Sequence, residues 1–145
     1  MTALLSPQEA LIYAMMTVAA VDRQVTEQEL SRIGGIVKEL PPFSGFGSDW
    51  LSREAQDCGR ILAKPGGVDR VLEMLAASLP PELYETAYVL AAEVAASDLA
   101  IKAEETHFLE LLADELGLDE LICAALERGA RARHQLVEVG RRGAR

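Results

Sequence analysis

The hydrophobic and polar positions of this chain follow the period of an α-helix. One stripe of apolar residues at helical spacing consists of Leu30, Ile33, Ile36, Val37 and Leu40. A second stripe consists of Val68, Val71, Leu72, Leu75 and Leu79. No stretch of useful length alternates with the period of two that a half-buried strand requires. The pattern therefore predicts an all-α fold.

Capping sequences indicate where two of the helices begin. Ser6 and Glu9 form a capping box around Pro7, a residue suited to the first helical position, so a helix is predicted from there to about residue 21. Thr26 and Glu29 form a second capping box directly before the first apolar stripe.

Prolines and glycines separate the remaining helices. They predict breaks at residues 41–42, 65–67 and 80–81. Further helices are predicted over about 49–63, 82–96 and 103–116. Gly117 is a fitting C-cap, and Asp119 can cap a last helix that reaches into the 130s. We therefore expect about seven helices.

Composition favours one helical domain. The chain has 145 residues, which is the usual size of a single domain. Half of the residues are hydrophobic and 5% are aromatic, and Ala and Leu dominate, which favours helices over a β-sandwich. We expect a single domain over residues 1–139, followed by a short basic tail over residues 140–145.

An internal repeat relates two parts of the chain at an offset of 76 residues. The sequence VAAVDRQVTEQEL from Val18 matches VAASDLAIKAEET from Val94. The repeat covers about residues 10–40 and 86–116. It predicts two pseudo-symmetric helix-turn-helix units that pack their apolar faces together in a compact bundle.

The repeat contains four carboxylates with two possible roles. They are Asp22, Glu29, Asp98 and Glu105. As a metal site, they offer oxygen ligands suited to calcium, magnesium or manganese. As structural groups, the glutamates cap helices, although Lys102 stands where the first unit has the capping Thr26. Neither connection has the ligand spacing of an EF-hand.

Charge is distributed unevenly along the chain. The net charge is −9, but residues 128–145 contain six arginines and one glutamate, so that this end carries +5 and the remainder −14. An acidic body disfavours nucleic acid and favours divalent cations or basic protein surfaces. The basic end can contact a membrane surface or an acidic protein.

Few features point to catalysis, export or membrane insertion. The chain has no Gly-rich phosphate loop, G-x-S-x-G or H-E-x-x-H motif, so we expect no enzymatic activity. Glu104 and His107 have the spacing of a di-iron motif, but Ser31 takes the place of the histidine in the other repeat. Cys58 and Cys123 are expected to be reduced and buried. With neither a signal peptide nor a transmembrane segment in the sequence, we expect a cytoplasmic protein.

These features resemble the TerB-like tellurite-resistance family. The resemblance rests on the alanine-rich helix that ends in Asp and on the spacing D-x-x-[VI]-x-x-x-E, which occurs at residues 22–29 and 98–105. It implies an all-helical cytoplasmic protein of tellurite resistance and stress response, with cation binding at the acidic motif and association with membrane-bound partners. The alternative is a structural adaptor whose acidic body or basic tail docks on a protein partner or on the inner membrane surface. The oligomeric state stays open.

Overall fold

The computed structural model describes residues 4–21, 27–44, 51–97, 102–135 and 137. Over these ranges the chain is all-helical, as predicted. The α-helices are α1 (Pro7–Ala20), α2 (Glu27–Glu39), α3 (Leu51–Leu62), α4 (Gly67–Ser78), α5 (Tyr84–Ala96), α6 (Ala103–Leu116) and α7 (Glu120–Arg133). Short 3-10 helices span Pro41–Phe43 and Pro81–Leu83.

Helix α1 lies at the centre of the fold. Every residue from Ala10 to Ala19 is buried, and α1 contacts α2, α3, α4, α5 and α6. A helix that is apolar around its whole circumference must be covered on all sides. The buried hydroxyl of Thr17 is satisfied within the helix, because Thr17 Oγ1 donates to the carbonyl of Tyr13 at 2.7 Å.

Helix α5 is the second buried helix, and its contact with α1 is the most extensive between two elements. Alanines supply much of its buried surface, namely Ala87, Ala91, Ala92, Ala95 and Ala96. Helices α3 and α4 cover α1, while α6 and α7 cover α5. No helix in the described part of the chain is long and apolar enough to cross a membrane.

The helix ends follow the predicted capping sequences. Ser6 Oγ accepts the N–H of Glu9 at 3.1 Å, and Glu9 Oε1 accepts the N–H of Ser6 at 2.8 Å, so the first capping box is confirmed. Gly117 ends α6 with a φ of +67°, and Asp119 accepts two backbone N–H groups in the first turn of α7. Thr26, the cap predicted for α2, lies outside the described residues.

Three helix boundaries differ slightly from the prediction. Helix α1 ends at Ala20 instead of about residue 21. Helix α3 ends at Leu62 instead of about residue 63, and residues 49–50 lie outside the described part of the chain. Helix α5 begins at Tyr84 instead of about residue 82. The reason is a 3-10 turn after the two prolines, in which the N–H of Leu83 donates to the carbonyl of Pro80 at 2.9 Å.

The junction between α3 and α4 depends on two adjacent glycines. Gly66 has a φ of +72°, a left-handed conformation that favours glycine. A Cβ atom on Gly67 would lie 2.3 Å from the carbonyl oxygen of Ile61 and 2.7 Å from the Cα of Leu62. Because both are backbone atoms, they cannot rotate away. The predicted break is therefore also a point of close approach between two helices.

We expect Gly67→Ala to lower the free energy of unfolding by about 1 to 3 kcal/mol, because the added methyl group forces α3 and α4 apart. Gly35→Ala is the matched control, since a Cβ atom on this α2 glycine has nothing within 4 Å. That control should gain up to about 1 kcal/mol from helix propensity. Urea unfolding followed by circular dichroism measures both, and equal effects would contradict the close contact.

Candidate functional site

The four predicted metal ligands divide into two groups. Glu29 and Glu105 lie in the first turns of α2 and α6, where they are 7% and 2% exposed. Asp22 and Asp98 lie outside the described residues. A single site formed by all four carboxylates therefore stays a prediction. The two described members are buried acids, a costly arrangement that requires polar partners.

Glu105 has a structural role at the start of α6. Its Oε1 accepts the backbone N–H of Lys102 at 2.9 Å. This contact is one half of a capping box, and the other half requires an acceptor on the side chain of the N-cap residue. Lys102 offers only donors. Capping therefore explains the orientation of the Glu105 side chain, although Lys102 stands where a complete capping box has serine or threonine.

A cleft of about 470 Å³ lies between the end of α1 and the beginning of α6. Val21, which follows α1 and precedes Asp22 in the sequence, lines this cleft together with Glu104 and His107 of α6. The end of α3 and the start of α4 complete it. The C-terminal end of α1 and the N-terminal end of α6 thus lie on the same side of the molecule.

The described side chains do not form a metal centre by themselves. Within the described ranges, no three His, Cys, Asp or Glu residues come together in a group that could hold a metal ion. Glu104, His107 and Asp69 all line the cleft, but all three are exposed and they do not come together as a group that could hold a metal ion. A cation site built from three or more such side chains would therefore have to include residues outside the described ranges.

Comparison with known protein families shows to which family the chain belongs. The family model of the tellurite resistance protein TerB matches residues 8–128, from the first turn of α1 into the second half of α7. The chain belongs to the TerB family. The match includes both acidic motifs and confirms the resemblance drawn from them. No curated protein and no solved structure matched the chain significantly.

A pair of carboxyl groups between α1 and α3 of this TerB-family chain was not predicted. Glu54 of α3 is 3% exposed and shares a hydrogen bond with Glu9 of α1. Two carboxyl groups can form this bond only when one of them is protonated. Sequence spacing offers a weak signal for it, because Glu54 lies on the same helical stripe as the buried Leu51 and Cys58.

The surroundings move the pKa values of these two groups in opposite directions. Burial, the hydrogen bond with Glu9 and the nearby negative charges raise the pKa of Glu54 to about 7. Burial also acts to raise the pKa of Glu9, but the hydrogen bonds from Ser6 and Glu54 outweigh it and lower that pKa. Glu9 is therefore the ionised acceptor and Glu54 the protonated donor at mildly acidic pH.

The two cysteines are free and buried, as predicted. Burial raises the pKa of Cys58 to about 11, and burial also raises the pKa of Cys123. The thiolate is the reactive form of cysteine. Both thiols are therefore protonated near neutral pH.

Glu93 attaches the end of α7 to α5. Its side chain is buried, and Oε1 accepts a hydrogen bond from Nε of Arg133 at 2.5 Å. Nε2 of His134 lies 3.3 Å from the same oxygen. The alanine-rich sequence around Glu93 does not indicate this contact, because the partners are about 40 residues away.

Protonation of Glu54 predicts a pH-dependent stability. Its pKa of about 7 in the folded chain lies above the ordinary value of 4.5 expected after unfolding. The folded chain therefore keeps a proton that the unfolded chain releases, and this stabilisation is complete below pH 4.5 and is lost as the pH rises to about 7. Glu9 acts in the opposite direction, because its pKa is lowered in the folded chain. The stability that its ionised form contributes is lost as the pH falls below the ordinary pKa of 4.5.

We expect Glu54→Gln to exceed the natural chain in stability above pH 7, by up to about 3 kcal/mol, because the amide keeps a neutral donor toward Glu9. Below pH 4.5 the two proteins should be alike. Glu73→Gln, at an exposed position of α4, is the matched control and should leave the pH profile unchanged. Urea unfolding between pH 4 and 8 measures the difference, and parallel profiles for Glu54→Gln and the natural chain would contradict a shared proton.

Proposed function

We propose that this TerB-family chain is a non-enzymatic cytoplasmic protein of tellurite resistance and stress response that binds a divalent cation. The proposed ligands are Asp22, Glu29, Asp98 and Glu105. The observation that carries the proposal is the burial of Glu29 and Glu105 at corresponding positions, in the first turns of α2 and α6. Carboxylate oxygens suit calcium, magnesium or manganese.

The arrangement of the helices supports a shared site. Val21 and Glu104 line one cleft, and each is next in sequence to a proposed ligand, Asp22 and Glu105 respectively. The two connections that carry the aspartates begin at α1 and α5, which pack together. One bound cation would then offset the mutual repulsion of the four carboxylates that the two repeat units supply.

The number of ligands sets the expected coordination. Calcium takes about six to eight oxygens, so four carboxylates need backbone carbonyls or water to complete its shell. Magnesium takes six in near-octahedral geometry and keeps several waters. The strongly acidic body of the chain would raise the local concentration of any of these cations.

Metal titration of the full chain tests the proposal. A site with a Kd of about 10 µM should raise the free energy of unfolding by about 2.7 kcal/mol at about 1 mM metal. We expect this gain with calcium, magnesium or manganese. Thermal unfolding measures it, and zinc is titrated for comparison. Absence of a gain with all four ions would contradict the proposal.

Charge-neutral variants separate cation binding from capping. Glutamine at this helix position can still accept the N–H of the N-cap residue. Glu105→Gln should therefore keep most of the metal-free stability and lose the gain from metal. Asp22→Asn and Asp98→Asn should behave in the same way. Asp114→Asn, at an exposed position of α6 that does not line the cleft, is the control and should respond to metal like the natural chain.

A structural adaptor is the second candidate function, and two observations favour it. Glu105 accepts a hydrogen bond from the backbone N–H of Lys102, which explains the position of this carboxylate without a bound cation. Arg128, Arg131 and Gln135 also line a cleft of about 440 Å³ at the end of α7, where a protein partner or the inner membrane surface can meet positive charge. Such an adaptor would show no metal-dependent stability, so the titration separates the two functions.

A further inference from the structure

The end of α7 covers a buried carboxylate on α5. Glu93 is 7% exposed, and the other buried residues of this alanine-rich helix carry no charge. Its Oε1 accepts the hydrogen bond from Nε of Arg133, and Nε2 of His134 lies 3.3 Å from the same oxygen. If the end of α7 moved away, Glu93 would lose both of these partners, which is costly for a buried charge.

The two basic partners of Glu93 respond differently to pH. The guanidinium of Arg133 keeps its charge in a protein at any pH that leaves the chain folded. An imidazole, in contrast, ordinarily gains its charge between about pH 8 and about pH 5. Both ring nitrogens of a protonated histidine are donors, so Nε2 of His134 then donates a charge-assisted hydrogen bond to Glu93. The contact of His134 is thus the one that strengthens as the pH falls.

The position of His134 at the end of α7 adds to this effect. His134 is the C-cap of the helix, and its backbone N–H donates to the carbonyls of Ala132 and Arg131. Carbonyl groups at a helix C-terminus carry partial negative charge, so a positive imidazole stabilises the last turn. The side chain of His134 is 29% exposed, against 71% for Arg133, so solvent screens its contact with Glu93 less.

The basic groups near Glu93 come from α7. Helices α1, α2 and α6 also pack on α5. The buried stretch Ala10–Ala19 of α1 has no charged side chain. Among the described residues, the basic groups within ion-pair distance of Glu93 are those of Arg133 and His134. The basic residues of α2 and α6 form no such pair with it, namely Arg32, Lys38 and His107.

The acids of the surrounding helices are placed or engaged elsewhere. Glu127 of α7 accepts the hydroxyl of Tyr88 at 2.6 Å. Glu85, the other acid of α5, precedes Glu93 by eight residues, which is about 12 Å along the helix axis. Glu105 accepts a backbone N–H at the start of α6. In the part of the chain that the structure describes, the imidazole at the end of α7 therefore pairs with one carboxylate, that of Glu93.

We propose that Glu93, Arg133 and His134 form a pH-sensitive latch, which fastens the last turn of α7 to α5 more tightly as the pH falls from about 8 to about 5.5. Arg133 supplies a contact that is constant over this range, and His134 supplies the part that varies. The latch is separate from the proposed cation site, because none of its three residues is a proposed ligand.

The latch lies within the arginine-rich end of the chain. Residues 128–145 contain six arginines and one glutamate. One of these arginines, Arg133, is held on Glu93 when the latch is closed and is released with the last turn of α7 when it opens. Acidification therefore keeps this arginine, and the turn that carries it, attached to the acidic body of the chain.

Hydrogen exchange of the full chain, followed by NMR, tests the proposal. The backbone amides of residues 130–133 report on the opening of the last turn of α7. After correction for the intrinsic exchange rate, their protection factors should be about fivefold higher at about pH 5.5 than at about pH 8. Amides in the middle of α1 are the reference for opening of the whole fold, which also depends on pH through Glu54.

Four variants assign the response to the latch. His134→Gln keeps a neutral donor and should remove the pH dependence of residues 130–133. His107→Gln is the matched control, because it changes the other histidine of the chain, exposed on α6, and it should keep the pH dependence. Arg133→Gln should lower the protection at both pH values and keep their ratio, since His134 still meets Glu93. Glu93→Gln should lower both the protection and its pH dependence, because the amide carries no charge.

Three results would overturn the proposal. The first is a protection of residues 130–133 that, relative to the α1 reference, does not change between the two pH values in the natural chain. The second is a pH dependence that persists unchanged in His134→Gln. The third is its loss in both histidine variants, because the response would then not belong to the latch.

Discussion

The burial of α1 on all sides is the constraint on which the remaining structure depends. A segment with ten consecutive buried residues cannot lie on a surface, so five other helices are arranged around it. The alanine-rich α5 makes the most extensive of these contacts. Because α1 and α5 lead directly into α2 and α6, their packing also fixes where the two acidic connections begin.

Four glutamates of the described part of the chain are buried around this core, and three of them have partners that show how they are stabilised. Glu105 caps the first turn of its own helix, Glu54 shares a proton with Glu9, and Glu93 is paired with Arg133. Glu29 also has a polar partner. Within the described residues, no buried side-chain nitrogen or oxygen lacks a hydrogen-bond partner. Buried carboxylates are thus tolerated in this fold when a nearby group offsets their charge. A bound cation would be one further way to offset it.

Local signals in the sequence predicted most of the fold. The capping box of Ser6 and Glu9, the left-handed Gly117 and the cap at Asp119 all act within one helical turn, so the sequence contains both partners of each contact. The beginning of α5 was placed about two residues early, because consecutive prolines can lead into a 3-10 turn as readily as into a helix.

Contacts between distant residues were the part of the site that the sequence did not predict. Glu54 meets Glu9 on another helix, and Glu93 meets Arg133 some 40 residues later. Helical periodicity places such an acid on a buried stripe but does not identify its partner. The proposed cation site has the same difficulty, since its ligands belong to two separate helix-turn-helix units. A repeat relates these units in sequence without showing how close they lie in space.

Anomalous scattering from manganese in crystals of the full chain is the most direct measurement of the central claim. The account predicts one manganese peak between the two acidic connections, with oxygens of Glu29 and Glu105 in its coordination shell. A manganese-soaked crystal with no such peak, in which Glu105 still caps Lys102, would contradict it. The carboxylates of the repeat would then serve the backbone of their own helices.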